Sequence, residues 1–288
     1  MSGAAHVGVP VAAACVVWGL VVIGDSLQGT GETETMRQGH REAETPALKS
    51  LTVTIVHDNN PFDDRLQTAW GFAATVTGPD KTILFDTGSD GTLLLDNMAL
   101  MEVDPNAIDT VFLSHAHDDH TGGLVGFLTV HPKVDVFLLE SFPKRFKETV
   151  RGYGAAVVEV ESPREICACV YSTGRMGRQV YEQALVVRTV KGLVILTGCA
   201  HPGVEKIVER VRALHEEDIL LVVGGFHLGW ATEGQIEQVI RTLKEFGVRY
   251  VAPTHCTGEK AQDLFLKYFG NRCLRAGVGS IITLADLK

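Results

Sequence analysis

The sequence predicts an α/β domain in which helices cover the faces of β-sheets. Short, continuous apolar runs, typical of strands that are buried on both faces, recur along the chain from Leu51 onward. Between several of these runs lie segments whose apolar residues repeat at helical spacing, and such segments need a sheet to cover. Because the two kinds of segment are interleaved, we expect helices layered on sheets.

The expected strands share a feature at their carboxyl ends. The first strand, Leu51–Val56, is rich in β-branched residues. In five later strands a polar group follows directly after the apolar run. These strands are Thr82–Phe85 before Asp86, Thr110–Leu113 before Ser114 and His115, Leu193–Leu196 before the stretch ending in His201, Ile219–Val223 before the stretch ending in His227, and Val248–Ala252 before the stretch ending in His255.

Two amphipathic helices are expected in the second half of the chain. Their apolar stripes are core packing rather than partner grooves, because the strands need to be covered. In the second helix, Thr232 and Gln235 match a capping box and Gly247 a C-terminal stop. The stripes consist of Val204, Ile207, Val208, Val211 and Leu214 in the first helix, and of Ile236, Val239, Ile240, Leu243 and Phe246 in the second.

Composition and charge exclude several classes of protein. Of the 288 residues, 45% are hydrophobic and 21% charged, which excludes a disordered chain. The 26 Lys and Arg against 35 Asp and Glu give a net charge of -9, so no basic field exists to hold nucleic acid, and we expect no nucleic-acid partner. The 6 cysteines include no CxxC pair, which argues against a disulfide scaffold or a structural zinc motif.

The first 50 residues differ from the rest of the chain. Residues 1–24 carry no charged side chain, and Val7–Gly24 is about long enough to span a bilayer, although Pro10 interrupts it and no Lys or Arg precedes it. This segment is either an anchor or export signal, which would tether or export the protein, or a dispensable extension of a cytoplasmic protein with Met36 as the true start. Residues 25–50 are polar and predict a flexible linker, which leaves residues 51–288 as the folded domain.

A cluster of metal-ligating residue types follows the third of these strands. The run His115–His120 holds three imidazoles and two carboxylates within six residues. A turn that presents both groups can hold one or two divalent ions. A solvated polar loop would not explain why His201, His227 and His255 also follow strands. The remaining histidines are expected to be structural: His6, His40, His57, His131 and His215.

These motifs resemble the metallo-β-lactamase superfamily. The HxHxDH run, the Thr121–Leu124 stretch after it and the Asp86-Thr-Gly turn before it carry the likeness, which implies an αββα sandwich with a metal site along one edge of its two sheets. A narrower likeness is to the branch named for 7,8-dihydropterin-6-methyl-4-(β-D-ribofuranosyl)aminobenzene-5'-phosphate synthase. The motifs that carry it are Asp58-Asn59, Trp70–Phe72, Asn97-Met98, Glu182–Leu185, Thr197–Gly203, Gly224–His227 and Pro253–Gly258.

The resemblance assigns roles to individual residues. His115 and His117 would bind one ion, and Asp119, His120 and His255 the other. Asp119 would also be the catalytic proton acceptor, while Asp118 points away. Asp86 would orient the ligand loop and its histidines, or else serve only as a turn residue.

One superfamily ligand is missing from this sequence. The stretch from Gly174 to Glu182 contains no histidine where the wider superfamily has one. If the Thr197–His201 stretch occupies the place of the bridging aspartate, Cys199 replaces that aspartate and His201 reaches the first ion. Cys199 is then either a thiolate ligand or a small buried hydrophobe. His227 is a further ligand or a substrate contact. The ion is expected to be Zn²⁺, with iron or manganese as alternatives, and the count of one or two stays open.

The other cysteines are expected to pack rather than to coordinate. Cys256 would face the opposite side of an extended segment from His255. Cys167 and Cys169 would lie on one face of a strand.

Some residues favour a flat, phosphorylated small-molecule substrate such as a pterin. Trp70, Phe72 and Phe226 would stack on the ring or fill the core. Thr257 and Lys260, at the start of an expected helix, would bind phosphate or, for Lys260, stay solvated. The resemblance implies a metalloenzyme that condenses a dihydropterin with an aromatic acceptor and releases pyrophosphate. The alternatives are a metallo-hydrolase of small esters, lactones or phosphoesters and a non-catalytic metal-binding sensor.

Overall fold

The computed structural model describes residues 46–288. The hydrophobic segment of residues 1–24 and most of the predicted linker therefore lie outside the described residues. Within residues 46–288, no helix is both long and apolar enough to cross a membrane. Leu48 pairs with Thr189 and its backbone N–H donates to the Arg188 carbonyl oxygen at 3.1 Å, so contacts with the second sheet already begin before Leu51.

Thirteen strands form two sheets in the described part of the chain. In the first sheet the order is β13-β1-β2-β3-β4-β5-β6, and in the second it is β12-β11-β10-β9-β8-β7. The strands are β1 (Thr52–Asp58), β2 (Phe72–Thr77), β3 (Ile83–Phe85), β4 (Thr110–Phe112), β5 (Asp135–Leu139), β6 (Ala156–Val160), β7 (Arg164–Cys167), β8 (Val170–Ser172), β9 (Leu185–Thr189), β10 (Gly192–Thr197), β11 (Ile219–Gly225), β12 (Tyr250–Thr254) and β13 (Ile281–Thr283).

Helices cover the outer faces of both sheets, as the apolar stripes predict. The inner faces of the two sheets form the inner core, in which Phe112 and Val194 are buried. The outer core lies between the second sheet and its helices and contains Val222, Ile236 and Phe265. The helices are α1 (Gly91–Leu100), α2 (Asp118–Thr121), α3 (Leu124–Val130), α4 (Lys144–Gly152), α5 (Val204–Leu214), α6 (Glu233–Glu245) and α7 (Glu259–Phe269), with short 3-10 helices at Pro105–Ala107, His255–Thr257 and Gly270–Arg272.

The parallel strands bring the polar residues to one edge. In the first sheet β3, β4 and β5 are parallel, and in the second β10, β11 and β12 are parallel. Because the carboxyl ends of parallel strands meet at the same edge of a sheet, the side chains that follow them become neighbours. The capping box of α6 is also present as predicted, with the Thr232 hydroxyl accepting from the Gln235 backbone N–H.

The prediction that Cys167 and Cys169 lie on one face of a strand is wrong. Cys167 ends β7, whereas Cys169 lies in the hairpin turn before β8 with a positive φ of 66°. The two side chains therefore do not share a strand face, because the turn reverses the chain between them.

Candidate metal centre

Four strand ends supply the side chains of the candidate centre. The loop after β4 carries His115 and His117 and leads into α2, which contains Asp119 and His120. From the second sheet, the turns after β10, β11 and β12 carry Cys199 and His201, His227, and His255.

The first group, defined as His115, His117 and His201, places one ligand atom of each residue within 4.8 Å of the others. Nε2 of His115 lies 3.1 Å from Nδ1 of His117. The centroid of the His201 ring is 4.8 Å from that of His117, and its buried Nε2 has no hydrogen-bond partner among the described residues. A buried ring nitrogen without a partner fits a place in a metal ligand set, because an unpaired buried polar atom is costly.

The second group, defined as Asp119, His120, Cys199 and His255, meets the same 4.8 Å limit. The Cys199 thiol lies 3.2 Å from Nε2 of His120 and 3.4 Å from Nε2 of His255. Asp119 Oδ2 lies 3.4 Å from the same His255 nitrogen. Imidazole, carboxylate and thiolate together form a donor set that suits a borderline divalent ion.

In three of the rings Nδ1, which points away from the cluster, contacts another side chain, and this leaves Nε2 for a metal. Asp86 Oδ2 lies 2.7 Å from Nδ1 of His120, and Asn59 Oδ1 lies 2.8 Å from Nδ1 of His255. The Ser114 hydroxyl lies 2.9 Å from Nδ1 of His115. In each ring Nε2 is then the atom that faces the cluster, so the residues present fit a bound metal.

Asp86 also organises the loop itself. Its Oδ1 accepts from the Ser114 backbone N–H and its Oδ2 from the Ser114 hydroxyl, both at 2.7 Å. Asp86 is fully buried with a positive φ of 52°, a conformation that side chains other than glycine rarely adopt. Asp86 thus contacts the histidine loop directly and is more than a turn residue.

Burial favours the neutral form of His115 and of His201. Desolvation, together with the neighbouring imidazoles, lowers the pKa of His115 well below its usual range. Desolvation and then the charge of His227 lower the pKa of His201 to about 4. A neutral imidazole keeps the lone pair that a metal needs. For Asp119, burial alone would raise the pKa, but the hydrogen bond from His255 and the charge of His120 lower it below the usual range.

Glu182 fixes the loop that carries Cys199 and His201. Its Oε1 accepts from the backbone N–H groups of Cys199 and Ala200 at 3.1 and 2.8 Å, and its Oε2 accepts from that of His201 at 2.8 Å. The side chain is fully buried, and desolvation raises its pKa to about 7. Glu182 has no predicted role in the sequence, although an acidic residue in a segment that leads into a buried strand is a signal for one.

Gln183 and Asn59 are further residues whose roles the sequence analysis missed. The Gln183 amide donates to the Leu113 carbonyl oxygen at 2.8 Å, and the Gln183 backbone N–H donates to that of Ser114 at 2.9 Å. The second sheet is thereby tied to the loop that carries His115. Asn59 holds His255 through the ring and also donates to its carbonyl oxygen at 3.2 Å.

Cys256 does not have the surroundings that the sequence predicts. His255 adopts a positive φ of 50° at the start of a 3-10 helix, so the segment is not extended at this point. The buried Cys256 thiol lies 3.6 Å from the Cys199 carbonyl oxygen. Ligand atoms of Cys199, His227 and Cys256 lie within 4.8 Å of one another, so Cys256 borders the centre.

The predicted substrate contacts divide into exposed and buried residues. Trp70 is 58% exposed, and the centroid of its ring lies 4.9 Å from that of His255, at the rim of the second group. His227 is exposed, and its ring centroid lies 4.3 Å from that of His201. Asp118 and Lys260 are exposed.

Three of the residues offered as substrate contacts have buried side chains, which for the two aromatic residues favours the alternative of core packing. Phe226 packs on Phe265 in the outer core, at 5.3 Å between ring centroids. Phe72 is fully buried beside Phe85 in the inner core. The buried Thr257 hydroxyl donates to the Thr254 carbonyl oxygen at 2.6 Å and accepts from the Phe226 backbone N–H at 3.1 Å, so it is not free to bind phosphate.

Two known proteins resemble this chain in sequence. The chain is 29% identical to 7,8-dihydropterin-6-methyl-4-(β-D-ribofuranosyl)-aminobenzene-5'-phosphate synthase of Methanocaldococcus jannaschii, over 78% of this chain and 92% of that protein. It is 26% identical to an uncharacterised protein of the same organism, over 73% of this chain and 91% of that protein.

Solved structures share the fold. A metal-dependent hydrolase of the β-lactamase superfamily superposes with a TM-score of 0.69 at 27% identity, over 81% of this chain and 98% of that one. The short form of human tRNase Z has a TM-score of 0.55 at 14% identity, over 80% of this chain and 98% of that one, which is a likeness of fold alone.

The family model of the metallo-β-lactamase superfamily matches residues 65–277. This range contains the ligand loop after β4, the Cys199 loop and His255, and the αββα layers are those of the superfamily's solved members. The predicted fold class is therefore confirmed, and its homologues are enzymes. The chain belongs to the metallo-β-lactamase superfamily and is a metalloenzyme of that fold.

Proposed function

We propose that this enzyme joins a dihydropterin to an aromatic amine and releases diphosphate. The product would be of the kind that the name of its relative from Methanocaldococcus jannaschii describes. The observation that carries the proposal is the likeness to that synthase along 92% of its length, together with two groups of candidate metal ligands, one containing Cys199 and the other His201. In the proposed step, the bond between the pterin methylene carbon and the diphosphate oxygen breaks, and its electron pair leaves with diphosphate. A carbon–nitrogen bond to the acceptor forms, and the amine loses a proton.

We assign one ion to the first group and a second ion to the second group, with Zn²⁺ as the metal because thiolate and imidazole donors suit it. When bound, such an ion supplies Lewis acidity that stabilises negative charge on a phosphoryl oxygen. The residues of this chain hold and orient that chemistry. Asp86 and Asn59 fix the rings of His120 and His255.

The remaining roles concern the substrate. The Asp119 side chain is 19% exposed, so its carboxylate is reached from solvent and is the group assigned to accept the acceptor's proton. Trp70 lies over His255 at the rim and offers an aromatic face to a flat ring. His227 lies beside His201 and is assigned to contact the substrate.

Metal content per chain and turnover of three substrates test the proposal. The purified protein is expected to hold two zinc ions and to condense a dihydropterin methyl diphosphate with an aminobenzene acceptor. It is expected to leave a lactone and a generic phosphodiester unchanged. Hydrolysis of either of those compounds without condensation would replace the proposal with a metallo-hydrolase, and tight metal binding without any turnover would replace it with a sensor.

A further inference from the structure

An open cleft of about 910 Å³ begins at the first group and extends away from it. His201 and His227 lie at one end, and the walls include Met176, Arg178, Gln179 and Lys206. The volume is within the range of small-molecule sites. Because the lining includes His201 of the first group and its neighbour His227, a molecule bound in the cleft lies next to the candidate metal centre.

The cleft carries positive charge in an acidic protein. Arg178 and Lys206 line it, and no Asp or Glu is among its lining residues. Within residues 46–288 neither cation forms a salt bridge, whereas Arg175, on the same loop, pairs with Glu161 at 2.6 Å. Two unpaired cations in one cleft favour an anionic ligand, since a phosphate offers several acceptor oxygens to them.

The two cations come from different elements, and both elements are connected to the Cys199–His201 loop. Arg178 lies in a tight loop whose base is closed by two hydrogen bonds between the backbones of Met176 and Glu182, at 2.9 and 3.0 Å. The turn requires glycine at Gly177, because a Cβ there would lie 2.2 Å from the Val180 carbonyl oxygen and φ is 91°. Glu182 in turn holds the backbone of Cys199 to His201 through its carboxylate.

Lys206 lies in the first turns of α5, which begins directly after His201, Pro202 and Gly203. Glu182, at the base of the Arg178 loop, and α5, which carries Lys206, therefore both adjoin the Cys199–His201 loop. This arrangement fixes the positions of both backbones relative to His201, which is what a specific subsite needs.

The predicted phosphate site at the start of α7 lacks these properties. Thr257 is buried, and its hydroxyl already donates to the Thr254 carbonyl oxygen and accepts from the Phe226 backbone N–H. The cleft that holds Arg178 and Lys206 is the better-suited anion site.

We propose that Arg178 and Lys206 bind a phosphate group of the substrate, with the rest of the substrate extending along the cleft to His201. This inference rests on the proposed function only for the identity of the phosphate, because the substrates of that reaction carry a diphosphate on one partner and a phosphate ester on the other. The recognised chemistry, an anionic phosphoryl group, is the same in both cases.

Binding measurements on the metal-loaded protein test the inference. Inorganic diphosphate and ribose 5-phosphate are titrated calorimetrically at a fixed excess of the metal ion, into the wild type and into R178A, K206A and the double variant. In each single variant the affinity for at least one of the two ligands is expected to fall about tenfold, because a hydrogen bond to a charged group is worth roughly 1.5–3 kcal/mol. In the double variant the affinity for the same ligand is expected to fall about 100-fold. The ligand that is affected identifies the phosphate.

Matched controls separate a direct contact from a general loss of charge or of fold. Lys133 is exposed and forms no salt bridge among residues 46–288, so K133A makes the same charge change elsewhere. The variant R178K keeps the charge and is expected to recover part of the affinity. Unchanged affinity for both ligands in the double variant would overturn the inference, as would an equal loss in K133A.

The same measurements distinguish this inference from the proposed function. If the double variant loses phosphate binding while the wild type condenses no pterin, the subsite is supported and the proposed reaction is rejected. Condensation with an unchanged KM in the double variant would keep the reaction and reject the subsite.

Discussion

The two ligand groups differ in how they are enclosed. In the second group His120, Cys199 and His255 are buried, and only Asp119 is partly exposed. In the first group His115 is buried, His201 is partly exposed and His117 is exposed. The groups also differ in how many rings are fixed at the nitrogen that points away from the cluster. In the second group both rings are fixed there, His120 by Asp86 and His255 by Asn59. In the first group, among the described residues, only the His115 ring is fixed in this way, by Ser114.

This difference separates a rigid position from an adaptable one. Side chains that are already oriented lose little entropy when they bind a metal, so the second group is expected to hold its ion more tightly. The first group faces the cleft and is the position where a substrate oxygen has room to approach. The following variants either remove the second group, weaken it, weaken both groups together or leave both intact.

The largest effect is expected from H120A. The variant removes a ring whose two nitrogens contact Asp86 and Cys199, and it leaves a cavity in a fully buried place. We expect loss of the second ion and of all activity, measured by elemental analysis and turnover. H131A is the control, because the only side-chain hydrogen bond of His131 among the described residues is to the Ile108 carbonyl oxygen. Metal content and activity that both survive in H120A would contradict the assignment of this group.

D86N is expected to weaken the second group without removing it. The amide keeps the size of the side chain but places an N–H group beside Ser114 or His120, where a carboxylate oxygen now accepts. Loss of such an outer contact typically costs about 10–100-fold in metal affinity. Metal titration should show this loss at the tighter of the two sites, and an unchanged affinity would reduce Asp86 to a turn residue.

E182Q is expected to weaken both groups together, because the loop that it holds supplies Cys199 to the second group and His201 to the first. A glutamine puts a donor where one of three backbone N–H groups now donates. We expect about tenfold weaker binding of both ions, the order of loss found when a ligand's hydrogen-bond partner is removed. The measurement is a two-site metal titration with the melting temperature followed in parallel. A lower melting temperature with unchanged metal affinities would assign Glu182 to the fold alone.

The smallest effect on metal binding is expected from H227A. His227 is exposed and belongs to neither group, although its ring centroid lies 4.3 Å from that of His201. Two ions should therefore remain, while KM for the phosphorylated substrate rises. Loss of an ion would make His227 a ligand, which is the other role that the sequence left open.

The sequence by itself determined the layered α/β fold, since apolar runs and helical stripes state which faces are buried. It also determined that polar side chains gather at the strand ends, because such residues follow buried runs at Asp86, His115, His201, His227 and His255. The tertiary structure decided which of these residues meet. The distances that join His201 to the first group and Cys199 to the second depend on sheets whose strands are far apart in sequence.

The tertiary structure also decided between roles that residue type leaves open. Phe226 and Trp70 are both aromatic, yet one is buried in the outer core and the other lies at the rim, because side-chain direction depends on the local backbone. Glu182 shows the same limit: its three acceptor contacts are to backbone atoms 17 to 19 residues away, and backbone groups leave no trace in residue type.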